Sequence, residues 1–301
     1  MRADRPVGVG QVFVALGKCV CYVGLFLGMQ MLVLLPTMLG SAMQVILNGG
    51  DEDEIYAAMM NADVMAITLI SGLLTIAVVL VFYLIRRKKL GEALWLRPVP
   101  VRTLFTGASL APALYLVVVV VLSVLPEAWM ENYGEASSSV VTGTAVGMIS
   151  VAVVAPVVEE FIFRGLIMTR LSRVMSGWLA VLLSAAVFGL CHGELVWFCY
   201  AFVLGALFGF IDLRAGSILP SILGHMMFNA IGQILSFVPE TDEGTETVIA
   251  LGVLFAVAVL LPILDRKGIA ALFRAKPASP VPEEWELPGV PGTYDYDPWY
   301  E

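Results

Sequence analysis

Eight apolar stretches divide this chain, and most are long enough to cross a lipid bilayer as a helix. A span needs about 20 apolar residues at about 1.5 Å of rise each. The stretches cover residues 13–45, 64–85, 104–125, 140–168, 178–191, 195–213, 218–238 and 248–264. Composition agrees, because 59% of the 301 residues are hydrophobic and only 14% are charged, against about 25% charged in a soluble domain. The expected architecture is therefore all-α, a polytopic transmembrane bundle of about eight spans. The fifth and sixth stretches are short, and only His192-Gly193-Glu194 separates them. A tight hairpin or an unequal pair is expected there.

Charge alternates between the spans, and basic residues mark the cytoplasmic side. Arg86-Arg87-Lys88-Lys89 follows the second stretch, Arg170 and Arg173 the fourth, Arg214 the sixth, and Arg266-Lys267 the eighth. The opposite connections are acidic: Asp51 to Glu54, then Glu127, Glu131 and Glu135, then Glu240, Asp242, Glu243 and Glu246. Both termini are expected in the cytoplasm. Arg2 and Arg5 precede an apolar run too long for a signal-peptide core, which reads as an uncleaved first span. The net charge of −8 comes from acids gathered in loops and the tail and does not imply an acidic partner. No basic patch interleaved with aromatics is present, so nucleic acid is not expected as a partner.

The four cysteines, Cys19, Cys21, Cys191 and Cys199, lie in or beside apolar runs and read as reduced, buried thiols. Residues 277–301 hold six prolines, six acids and no Lys or Arg, the composition of a disordered segment. The tail's aromatics offer a docking segment for a cytoplasmic partner, with a plain solvated tail as the alternative. These features divide the chain into four parts. Residues 1–139 are expected to form three spans with their loops, 140–238 a core that holds both histidines, 239–276 the last span with its cytoplasmic end, and 277–301 the tail.

Two adjacent acids, Glu159 and Glu160, interrupt the fourth stretch. A charge at membrane depth costs roughly 2.5–3.5 kcal/mol on insertion scales, so a pair there needs a compensating role. Glu160 and Arg164 are spaced i, i+4 with the acid first, the favourable order on one helix face. Arg164 is expected to neutralise Glu160. Glu159, about 100° around the helix, is left as the carboxylate free for chemistry. The chain has only two histidines, His192 and His225. Phe188 precedes His192 by one turn, and Asn229 follows His225 by one turn. Counted from the flanking cations, Glu159 and His225 each sit about 16 Å in and Asn229 about 22 Å; counted from Trp178, His192 sits about 21 Å in. Glu159 and His225 fall in the middle third of a ~30 Å core, with His192 and Asn229 just beyond it. A carboxylate with a histidine can deprotonate water, and a second histidine with an amide can hold an oxyanion. That chemistry is hydrolysis of an amide or ester without a covalent intermediate. No Ser or Cys stands out as a nucleophile.

These residues resemble the CPBP family of CAAX proteases and bacteriocin-processing enzymes, also called the Abi family. The family pattern of EExxxR, then FxxxH, then HxxxN appears here as Glu159-Glu160…Arg164, Phe188…His192 and His225…Asn229. The resemblance covers roughly residues 140–237. It implies a glutamate-type intramembrane endopeptidase needing no cofactor. By motif position Glu159 and His192 activate water, His225 and Asn229 stabilise the oxyanion, and Glu160 with Arg164 shapes the site. The implied partners are the bilayer and a membrane-associated peptide or protein, CAAX-like and prenylated or bacteriocin-like. Glu194, just after His192, adds a third acid that either modulates the site or lies at the outer interface.

Three other readings compete. A zinc protease would use Glu159, His192 and His225, with or without Cys191, but no His-Glu-x-x-His lies on one helix. A non-catalytic scaffold or immunity factor would pack a partner helix on Gly205 and Gly209, a small-xxx-small pattern. A transporter would use Glu159 or Glu160 as an ion site, but no internal repeat is evident.

Overall fold

The computed structural model describes residues 8–61, 63–138, 140, 144–238 and 245–277. Arg2, Arg5, Glu240, Asp242, Glu243 and the tail from 278 onward lie outside the described residues. Twelve helices follow in order, and no strand occurs among the described residues. They are α1 (Val9–Leu47), α2 (Glu52–Met60), α3 (Val64–Ile85), α4 (Leu90–Ala93), α5 (Val101–Leu122), α6 (Glu127–Ser138), α7 (Ala145–Leu171), α8 (Gly177–Leu190), α9 (Leu195–Ala215), α10 (Leu219–Leu235), α11 (Thr245–Leu264) and α12 (Arg266–Arg274). Each of the eight apolar stretches contains a helix among its described residues.

Six of these helices, α1, α3, α5, α7, α9 and α11, are long and apolar enough to cross a membrane, and the chain is a multi-pass membrane protein. Helices α8 and α10 are shorter, with 14 and 17 residues. They pack inside the bundle, α8 against α9 and α7, and α10 against α5, α9 and α7. Helix α1 is longer than its apolar run required. Its 39 residues extend to about 58 Å, roughly twice the hydrocarbon thickness.

Burial identifies the centre. Half of the membrane window of α7 is buried, against 11% for α11. Lipid chains are as apolar as leucine, so helices in a membrane associate through close packing and polar contacts. The crossing of α5 and α10 shows this. A Cβ on Gly107 would lie 2.1 Å from the Pro220 carbonyl oxygen, and one on Gly224 would lie 3.0 Å from the Gly107 backbone. Gly205 and Gly209 are also used inside the molecule: Gly205 faces Ala185 and Phe188, and Gly209 faces Val181 and Met168. Both contacts join α9 to α8 or α7.

Connections expected as plain acidic loops contain helices, and their sequences explain why. Asp51 and Glu54 form a reciprocal capping box at the start of α2, with bonds of 2.9 and 3.2 Å, and acids in a first turn complement the helix dipole. The connection between α3 and α5 folds back against the bundle. Leu94 and Trp95 in it are fully buried, and the Trp95 carbonyl accepts the Ile218 N–H at 3.1 Å. The expected hairpin between α8 and α9 is present. Gly193 takes φ +75° in its turn, a conformation glycine adopts without cost. Glu194 caps α9 by accepting the Trp197 N–H at 2.7 Å.

The thiols depart from expectation. All four are free, but only Cys19 is buried; Cys191 is half-buried, and Cys21 and Cys199 are exposed. The last two lie on spanning helices, so their apolar surroundings are lipid rather than protein.

Candidate active site

Helix α7 is not a uniform α-helix. It switches to π-helical hydrogen bonding over Ser150–Val154 and again over Glu160–Met168. The single α-helical turn between them, Ala155–Glu159, ends on the first glutamate. π segments widen the helix, displace carbonyls from the ordinary ladder and recur at functional sites. Those carbonyls need donors, because nothing in hydrocarbon supplies one. Asn229 Nδ2 donates to the Val151 oxygen at 2.9 Å, and Ser184 Oγ donates to the Phe163 oxygen at 2.6 Å. Thr169 Oγ1 donates to the Gly165 oxygen. Helices α8 and α10 are thus bonded directly to the distorted parts of α7.

The two glutamates occupy different environments. Glu160 is fully buried, and its Oε1 lies 3.1 Å from Arg164 Nη1, which is itself 1% exposed. The same oxygen accepts from His225 Nδ1 at 2.9 Å. The Arg164 guanidinium also sits over the Phe188 ring, 4.6 Å from its centroid, which adds a buried cation–π contact. Glu159 keeps 17% of its side chain exposed, and its Oε2 lies 3.6 Å from His225 Nε2. His225 therefore spans the pair, with one ring nitrogen toward each carboxylate.

Glu159 also lines a small cleft between α1, α3 and α7, with Phe26, Gln30, Ser71 and Thr75 among its walls. Its volume of about 30 Å³ is close to one water's share of the liquid. The histidines do not line this cleft.

His192 sits in the turn after α8. Its Nδ1 lies 2.9 Å from the Phe188 carbonyl. A carbonyl only accepts, so Nδ1 carries the hydrogen, and a neutral ring then presents a bare Nε2 lone pair. The Phe188 ring packs edge-on against both histidines, with centroids at 4.8 Å from His192 and 5.9 Å from His225. Phe208 stacks on the other face of His225 at 5.7 Å. One phenylalanine thus orients both imidazoles and covers the arginine.

Fold and packing bring five of the six expected residues into one connected cluster: Glu159, Glu160, Arg164, His192 and His225. Asn229, one turn along α10, joins through its bond to α7, which occupies one of its two amide hydrogens. Asp212 on α9 is a further fully buried acid beside this cluster, facing Glu160 and Ser221. As an acid within the sixth apolar stretch it carried the same signal that drew attention to Glu159, and the sequence reading passed over it. Among the described residues, no group of three or more His, Cys, Asp or Glu side chains is arranged to hold a metal ion.

A multi-pass helical bundle with two carboxylates and two imidazoles converging at its centre is the class that fold and site define. Residues 141–231 match the family model described as "Type II CAAX prenyl endopeptidase Rce1-like", a segment that contains all six residues. The chain is also 29% identical over 108 residues to the "Putative membrane peptidase YdiL" of Bacillus subtilis (strain 168), covering 35% of this chain and 44% of that protein. The chain thus matches less than half the length of that curated relative. No solved structure matches it. Over residues 141–231 the chain is thus similar to the type II CAAX prenyl endopeptidases.

Proposed function

We propose that the chain is an intramembrane endopeptidase. Residues 140–238 would form its catalytic core, and its substrate would be a peptide bond near the end of a membrane-associated protein or peptide, prenylated and CAAX-like or bacteriocin-like. The observation that carries this reading is the placement of His225 between Glu159 and Glu160, at 3.6 and 2.9 Å, with His192 held against the same phenylalanine.

The roles follow from donors and acceptors. Glu159 is the more accessible carboxylate, and His192 offers a bare Nε2. Between them they take a proton from water, and the resulting hydroxide attacks the scissile carbonyl. The tetrahedral oxyanion needs donors. Asn229 has one amide hydrogen left after its bond to Val151. His225 must keep a hydrogen on Nδ1 to face Glu160, so donation from Nε2 requires the doubly protonated ring. The Glu160–Arg164 pair is too buried to meet substrate; it fixes His225. Collapse of the intermediate expels the amine, which takes a proton from the same acid–base pair.

Reconstitution in liposomes tests this. The full chain is incubated in H2¹⁸O with membrane proteins from cells that lack it. Hydrolysis predicts new peptide C-termini carrying ¹⁸O with the wild type and none with Glu159→Gln. Equal sets of termini from both proteins would remove the peptidase reading.

A further inference from the structure

A second concavity lies far from the glutamates, at the ends of α3 and α7. Its volume is about 300 Å³, and Arg86, Arg87, Lys88, Lys89, Arg170 and Arg173 all line it. Such a volume is at the lower end of small-ligand pockets. Arg170 lies 11 residues beyond Glu159, about 16 Å along the helix, so this is not the peptidase site. Basic residues at helix ends on one side of a membrane are ordinary; here, however, cations from two connections about 80 residues apart in the chain enclose a cavity. The one acid in its lining, Glu92, pairs with Lys89 at 3.3 Å.

Three further features fit one kind of ligand. Tyr22 adds a hydroxyl to the wall, the kind of donor that completes an anion site. Arg87 takes φ +52°, a left-handed conformation unfavourable for a residue with a side chain, at a helix end where glycine is the usual occupant. Beside the cavity, α3 presents Val78, Val81, Phe82, Leu84 and Ile85 as exposed apolar side chains. A soluble anion has no use for that stripe, whereas an acyl chain would lie along it.

We infer that this cavity is a binding site for the phosphate headgroup of an anionic glycerophospholipid, whose acyl chains lie against the exposed face of α3. Cation clusters of this kind between membrane helices attract anionic headgroups, each Lys or Arg adding about fivefold in affinity. The site stands independently of the peptidase reading, because its readout is lipid and not cleavage.

The test uses the full chain in detergent, with bound lipid counted by native mass spectrometry against phosphatidylglycerol, phosphatidylcholine and inorganic phosphate. One phosphatidylglycerol should bind well ahead of phosphatidylcholine. Arg170→Gln with Arg173→Gln should weaken it by about 25-fold, and Lys267→Gln with Arg274→Gln, which remove equal charge elsewhere, by less than about twofold. Arg87→Gly removes a cation where glycine suits the backbone, so the protein keeps its fold while binding falls about fivefold. Equal binding of the two lipids, or unchanged binding in Arg87→Gly, would overturn the proposal. If inorganic phosphate binds as tightly as phosphatidylglycerol and displaces it, the site is one for free phosphate and the lipid assignment is wrong.

Discussion

Glu160 is enclosed by Arg164 and His225, whereas its neighbour Glu159 remains partly exposed beside a cleft of one water's volume. This difference predicts opposite signatures for two conservative substitutions. Glu159→Gln should abolish turnover, by a factor of at least about 10²–10⁴ as expected for a lost general base, while leaving the melting temperature within a few degrees. Glu160→Gln leaves Arg164 as an uncompensated buried cation and should cost about 3–5 kcal/mol of stability, visible as a large drop in melting temperature before any assay is run. Equal thermal losses in both variants would contradict the division of labour. That these six residues would come together was legible in the sequence, because polar groups inside apolar stretches are rare and these fell in order on separate stretches. The Asn229 bond to Val151 was not legible. It depends on a carbonyl displaced by a π turn, and no residue spacing announces that turn. Trp95 was hidden for a related reason, since a tryptophan in a basic connection reads as an interfacial residue until the connection folds inward.

At the scale of elements, α7 carries the glutamates and α10 presents His225 to them, so their spacing decides the site. That spacing rests on the Gly107–Gly224 crossing of α5 and α10. Gly107→Val should push the helices apart, because its Cβ would meet the backbone of Pro220. The expected outcome is loss of activity with a clear fall in thermal stability, both measured on the purified protein. Gly134→Ala, where a Cβ meets nothing within 4 Å, should change neither. Apolar length located every helix long enough to span to within a few residues. It missed α2, α4, α6 and α12, because short helices arise from caps and local packing rather than from an apolar run.

At the scale of the molecule, the alternation of charged connections predicts an orientation for the bundle, with Arg86–Lys89 on the cytoplasmic side and Asp51–Glu54 on the other. In a chain whose four cysteines are changed to alanine, an impermeant maleimide applied outside intact cells should label Glu52→Cys and spare Lys89→Cys; the reverse pattern would invert the topology. The central claim concerns chemistry, and one comparison tests it most directly. Protein termini are catalogued in membranes from cells carrying equal amounts of the wild type, Glu159→Gln or Asn229→Ala. A defined set of new termini present only with the wild type is the predicted result, and it would name the substrate. Identical termini in all three membranes, with any wild-type phenotype preserved in Glu159→Gln, would contradict the claim and leave binding rather than hydrolysis as the function of the bundle.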